Sequence, residues 1–156
     1  MRNLLQAAIF LMIGLSLNAC DVYDDCSDIT CFTPPAPVYF QLYSDSKQDL
    51  LASDTFELRF LKIVDATRDQ LIQKDTFSID GAYYLTAESI GWQEGVNNYL
   101  FTYNDNELFT FSIQANQISE NCCTYTVYED VSISGSAFEE VNMTNLGTVY
   151  RVKISL

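Results

Sequence analysis

The stretch NYLFTYNDNELFTFSI, residues 98–113, decides the fold. Two strand-like segments, 98–103 and 107–113, flank Asn104-Asp105-Asn106, whose side chains tolerate left-handed turn geometry. Phe109, Phe111 and Ile113 recur with period two, so they share one face of an extended strand. A hairpin with one apolar face needs a second apolar layer to cover it.

The rest of the chain supplies that layer in similar pieces. Val38, Phe40 and Leu42 alternate with Tyr39, Gln41 and Tyr43, before a polar turn over 44–49. Phe56, Leu58 and Phe60 alternate with charged neighbours. A turn at 65–70 leads to Leu71-Ile72, and Phe77 and Ile79 precede the turn signal Asp80-Gly81. Residues 83–86 form a further short strand candidate. Tyr125, Val127, Val131 and Ile133 alternate up to Gly135, and Tyr150, Val152, Ile154 and Leu156 close the chain. After the first twenty residues no segment shows a helical period. The expectation is an all-β domain over 38–156 with about eight short strands. Two stacked antiparallel sheets of the immunoglobulin-like kind come first, and a small barrel is the alternative.

Composition narrows the function. The 156 residues carry 8 Lys+Arg against 21 Asp+Glu, a formal charge of −13. Loss of Arg2 with a cleaved leader would leave 7 against 21, or −14. Nucleic acid is thereby excluded as a partner, because phosphate binding needs a basic patch. The chain has no histidine, which removes Ser-His-Asp and Cys-His catalysis and His-bearing zinc sites.

The start of the chain reads as an export signal. Arg2 precedes a mostly apolar run from Leu4 to Leu17, too short to span a bilayer comfortably. The run ends in Leu17-Asn18-Ala19-Cys20, which resembles the lipobox of bacterial lipoprotein precursors, with Asn18 the one departure. That resemblance implies a lipoprotein signal peptide over 1–19, cleavage before Cys20, and acyl chains on its thiol that attach the protein to a membrane. Two or more such chains give stable anchoring. An ordinary signal peptide with a chance cysteine is the alternative. Residues 20–37 form an acidic and Pro-rich tether: four acids fall within 21–28, and Thr33-Pro34-Pro35-Ala36-Pro37 is stiff and excludes a central strand. The acids lack the Gly and Glu positions of an EF-hand loop, so a solvated tether outweighs a calcium site.

Beyond Cys20, four cysteines remain as disulfide candidates: Cys26, Cys31, Cys122 and Cys123. An even number in an exported chain suggests pairing, and four allow three connectivities. A bridge between adjacent residues is strained, which favours cross-links from the early pair to the late pair. Such a link closes a loop of roughly 90–100 residues and contributes up to about 4–5 kcal/mol in the chain-entropy model. The spacings do not suit a cysteine-only zinc site, and no metal or cofactor is expected.

Trp92, the sole tryptophan, lies between Gly91 and Gly95 on a loop, where it could stack on a sugar ring; its alternative role is to fold over the end of the core. Tyr99, with Tyr83 and Tyr84, could join the same ligand surface. Glu139-Glu140, and Glu88 with Glu94, are the candidate carboxylate pairs for glycoside hydrolysis, which needs two carboxyls about 5–10 Å apart across a cleft. No catalytic residue is assigned.

The acidic start after Cys20 resembles the surface-export signals of Bacteroidota lipoproteins. Together with Cys26-Ser27-Asp28-Ile29-Thr30-Cys31-Phe32-Thr33-Pro34-Pro35 and Cys122-Cys123-Thr124-Tyr125, it is similar to small, functionally unassigned lipoproteins of that group. The resemblance implies export, outer-membrane attachment with surface exposure, and paired cysteines; it implies no activity. The expectation is a lipid-anchored, non-enzymatic binding or accessory module whose partner is a glycan or an envelope protein. The alternatives are a structural envelope protein acting through protein contacts and a carboxylate-based glycoside hydrolase.

Overall fold

A computed structural model describes Cys31, residues 33–120 and residues 123–156. The chain divides into two units, Met1–Cys31 and Phe32–Leu156, and the second is the domain described below. The expected signal peptide, Cys20, the acidic segment, Cys26 and Cys122 lie outside the described residues.

The domain is an all-β sandwich. Its strands are β1 (Tyr39–Ser44), β2 (Leu61–Asp65), β3 (Gln70–Ile72), β4 (Asp75–Ile79), β5 (Ala82–Thr86), β6 (Gly95–Tyr103), β7 (Asn106–Glu120), β8 (Cys123–Ser134), β9 (Phe138–Met143) and β10 (Gly147–Ile154). One sheet has the order β3-β2-β6-β7-β8 and the other β4-β5-β1-β10-β9. Every pairing is antiparallel except β1 with β10, where Tyr39–Ser44 run parallel to Val149–Ile154.

The hairpin of residues 98–113 is the middle of the first sheet, and its turn is tighter than expected. Tyr103 pairs with Asn106, so the loop is only Asn104-Asp105, with φ of 49° and 64°. Two consecutive positive φ values define a type I′ turn, whose twist matches that of the strands. Asp80-Gly81 makes the same turn between β4 and β5, with φ of 53° and 83°.

Phe109, Phe111 and Ile113 face inward as expected, joined by Tyr99 and Phe101 from β6. Phe40 of β1 enters this aromatic layer from the opposite sheet. Its ring centroid lies 4.9 Å from that of Phe101, 5.0 Å from Phe111, 6.2 Å from Phe109 and 6.0 Å from Tyr150. The interdigitation of rings from both sheets is what makes the two layers one core.

Three local expectations are corrected. Ten strands replace about eight, because β9 was not recognised: it is an edge strand, mostly exposed, and has no clean alternation. The alternation Phe56-Leu58-Phe60 is not a strand. Phe56 is buried by stacking on Tyr103 at 4.4 Å, Leu58–Phe60 form a 3₁₀ turn, and the strand begins at Leu61. In β8, Tyr125 and Val127 do not share a face with Ile133. An extra residue near Asp130 (φ 48°) shifts the register between the Ser112–Ser132 and Gln114–Glu129 pairs. A one-residue bulge reverses the facing of all that precedes it, so Tyr128 points inward with Ile133.

The fully buried Asp65 ends β2. Its Oδ1 accepts from the backbone N–H groups of Thr67 and Arg68, at 2.9 and 3.0 Å. Its Oδ2 accepts from Nε and Nη2 of Arg68, at 2.9 and 2.6 Å. Burial alone would raise its pKa; the Arg68 guanidinium and the two backbone donors outweigh this and hold the carboxyl below its usual range. A carboxylate depressed in the folded state contributes stability above its unfolded pKa and loses it as pH falls through the folded value. Asp65→Asn should therefore cost about 1–2 kcal/mol at neutral pH. It should also reduce the loss of stability on acidification, read as the difference in urea midpoint between pH 7 and pH 3.

Candidate functional site

The segment that enters the domain is gripped at one end of the sandwich by Tyr128. Placed inward by the bulge, its hydroxyl donates to the carbonyl of Ala36 at 2.7 Å, and the carbonyl of Ile90, 3.3 Å away, shares the same proton as the longer acceptor. Thr86 Oγ1 donates to the carbonyl of Val38 at 3.2 Å. The Pro-rich stretch is thus fixed to β8 and to the end of β5 before β1 begins.

The same hydroxyl organises the Trp92 loop. Gly91 lies against the Tyr128 ring with a φ of 77°, and a Cβ at Gly91 would overlap the ring carbons and hydroxyl of Tyr128. Glycine is needed there both for the close approach and for the left-handed backbone. The Gly91 N–H donates to the Tyr99 hydroxyl at 3.0 Å. Asn97, buried, donates from Nδ2 to the carbonyls of Gln93 and Gly95, at 2.8 and 2.9 Å. The Trp92 indole N–H donates to the Glu88 carbonyl. A loop with this many internal bonds presents its side chains in a fixed arrangement.

Beside the Ala36 grip is an open cleft of about 300 Å³, lined by Pro37, Val38, Tyr128, Val131, Thr148 and Tyr150 among others. Both phenols are pushed up to about 12. For Tyr150 the cause is burial and then the charge of Glu140; for Tyr128 it is burial and then the neighbouring Tyr99 and Tyr150. Both are neutral hydroxyls at physiological pH, suited to hydrogen bonding and not to proton abstraction.

The sequence-derived candidates are dispersed by the fold. Trp92 is 42% exposed on its loop. Tyr99 is fully buried, a correction to its place on a ligand surface: it shares the inward parity of Phe101, and its hydroxyl serves Gly91. Tyr84 is also buried and donates to the Met143 sulfur at 3.4 Å, whereas Tyr83 is exposed. Glu139 is bound by Arg151 at 2.6 Å, and its neighbour Glu140 projects from the opposite face of β9. Glu88 and Glu94 are exposed on the Trp92 loop. Among the described residues, no group of three or more His, Cys, Asp or Glu is placed to hold a metal ion.

Cys31 and Cys123 are both disulfide-bonded. Cys123 opens β8, where the β7–β8 ribbon runs beyond the core. From Asn116–Val127 to Glu120–Cys123, five residue pairs continue the ladder. At about 3.3 Å per residue they reach roughly 16 Å past Tyr128. Tyr128 was missed by sequence reasoning. The available signal was Glu129-Asp130, a polar break in an otherwise alternating strand.

No family model, no curated protein and no solved structure matches this chain.

Proposed function

We propose that the protein is a lipid-anchored, non-enzymatic component of a bacterial cell envelope. It would be exported, cleaved before Cys20, acylated there, and would serve as a binding or accessory module for a glycan or an envelope protein. The observation that carries this reading is the capture of the incoming segment at Ala36 by Tyr128, because a domain built to work on a tether needs its chain entry fixed. The acidic stretch after Cys20 supports attachment to the outer membrane with the domain at the surface.

The cysteines support the same picture. Cys31 lies five residues before Ala36, and Cys123 five residues before Tyr128, its hydrogen-bond partner. Each is thus within about 17 Å of that bond along an extended chain. Bridges from the early pair to the late pair would close the tether onto the ribbon and leave the domain near its anchor.

Replacement of Cys20 by alanine tests the anchor. The variant is expected to leave the membrane fraction for the soluble envelope fraction; a variant that stays wholly with the membrane contradicts the reading.

A second reading, action through protein contacts alone, is favoured by the edge strand β9, which among the described residues pairs only with β10 and carries Phe138 at 36% exposure.

A further inference from the structure

We infer that the cleft beside the Ala36 grip is a site for one neutral sugar ring, held between a polar wall on β9 and β10 and apolar surface from Pro37, Val131 and Leu146. This inference rests on the binding-module reading above and gives that module a ligand class and a place.

Tyr150 carries the argument. It lines the cleft, is only 8% exposed, and its hydroxyl has no hydrogen-bond partner among the described residues. Every sealed polar side-chain atom of the described residues has a partner, so the Tyr150 hydroxyl is not sealed and opens to the cleft. An O–H almost withdrawn from water and left without an acceptor is a cost to the fold, which a ligand acceptor would remove.

The β9–β10 register supplies the rest of the polar wall. Glu140 pairs with Tyr150, and Asn142 with Thr148, so these four side chains rise from the inward face of the sheet. Directly opposed residues stand about 5 Å apart. Thr148 Oγ1 donates to Asn142 Oδ1 at 3.1 Å, which leaves the Asn142 amide hydrogens for an acceptor beyond the wall. Glu140 is exposed and accepts. The apolar surface comes from elsewhere: Val131 from β8 in the facing sheet, Pro37 from the entering segment, and Leu146 from the β9–β10 turn. Tyr128 has its O–H on Ala36 and adds no donor.

This wall selects its ligand. An alkylammonium brings donors only, and cannot accept from Tyr150 or Asn142. A carboxylate or phosphate accepts, but it meets Glu140 in a chain of formal charge −13. A sugar hydroxyl accepts from one neighbour and donates to the next. Adjacent hydroxyls on a ring edge therefore match Tyr150, Glu140 and Asn142, while the C–H face of the ring covers Val131 and Pro37. A volume of about 300 Å³ is at the small end for ligand sites and suits one ring better than a length of peptide.

Saturation-transfer NMR on the full-length protein provides the test. The probes are the methyl glycosides of glucose, galactose, mannose and N-acetylglucosamine, beside methylammonium, glucuronate and N-acetylalaninamide. Transfer to at least one glycoside and to none of the other three is expected. Tyr150→Phe removes a hydroxyl that no described residue uses. Its melting temperature should hold while the dissociation constant of the bound sugar rises about 3–10-fold. Glu140→Ala, at an exposed position of an edge strand, should act in the same way. A lower melting temperature for Tyr150→Phe would mean that the hydroxyl serves the fold, and overturns the site. A sugar bound equally by the wild type and both variants overturns the cleft and leaves glycan binding elsewhere on the domain. Binding of methylammonium, glucuronate or N-acetylalaninamide in place of the sugars overturns the ligand class. Silence from every probe overturns the site and leaves the module only a protein partner.

Discussion

Replacing Phe40 by alanine is expected to destabilise the domain by about 3–5 kcal/mol, the range for deleting a buried aromatic ring from a close-packed core. Phe40 is fully buried and is the point at which β1 penetrates the aromatic layer of β6 and β7. The loss has two parts, the apolar surface no longer removed from water and the cavity left among Phe101, Phe109, Phe111 and Tyr150. Those rings project from strands in two sheets, so they cannot collapse into the space without moving backbone. Against a typical total of about 5–15 kcal/mol, the variant approaches the unfolding threshold. Thermal melts followed by circular dichroism should show a fall of roughly 10–20 °C. The comparison is Phe138→Ala on the edge strand β9, which should lie within about 0.5 kcal/mol of the wild type. Equal effects of the two substitutions would mean that Phe40 does not join the sheets.

Gly91→Ala is the second large effect, and its size comes from a residue on another strand. An L residue at a φ of 77° costs about 1–2 kcal/mol by itself. The added methyl also displaces the Tyr128 ring, and with it the hydrogen bond of its single O–H, held mainly by Ala36 and shared with Ile90, worth about 0.5–1.5 kcal/mol. The sum is about 1.5–3.5 kcal/mol. In a Tyr128→Ala background the ring is already gone, and Gly91→Ala should cost only its backbone part. A coupling of about 0.5–1.5 kcal/mol between the two sites, from urea denaturation of the four proteins, is the expected result. Additive effects would show that the tether and the Trp92 loop are not joined through Tyr128.

The legible part of the fold was its repeating part. Residues 98–113 announced a hairpin because both strands alternate and the turn residues tolerate positive φ. The same logic located β1, β4, β5 and β10. The parts that failed were those where a tertiary contact overrides local pattern. Phe56 mimics strand alternation because it is buried, yet it is buried by a stack on Tyr103. Tyr99 looked like a surface tyrosine, although its parity with Phe101 placed it in the core. The parallel seam of β1 and β10 joins residues about 110 positions apart, which no local pattern encodes. The site was legible only as Trp92 on a glycine-flanked loop. Its support by Tyr128 depends on one bulge residue, Asp130, that reverses the facing of β8.

The central claim is that this domain is held by one end, with the tether fastened to Tyr128 and to the β7–β8 ribbon. Peptide mapping of the membrane-extracted protein, without reduction and with free thiols blocked, tests it most directly. The account expects disulfide-linked peptides that join Cys26 or Cys31 to Cys122 or Cys123. Four blocked thiols, or bridges confined to Cys26–Cys31 and Cys122–Cys123, would contradict it.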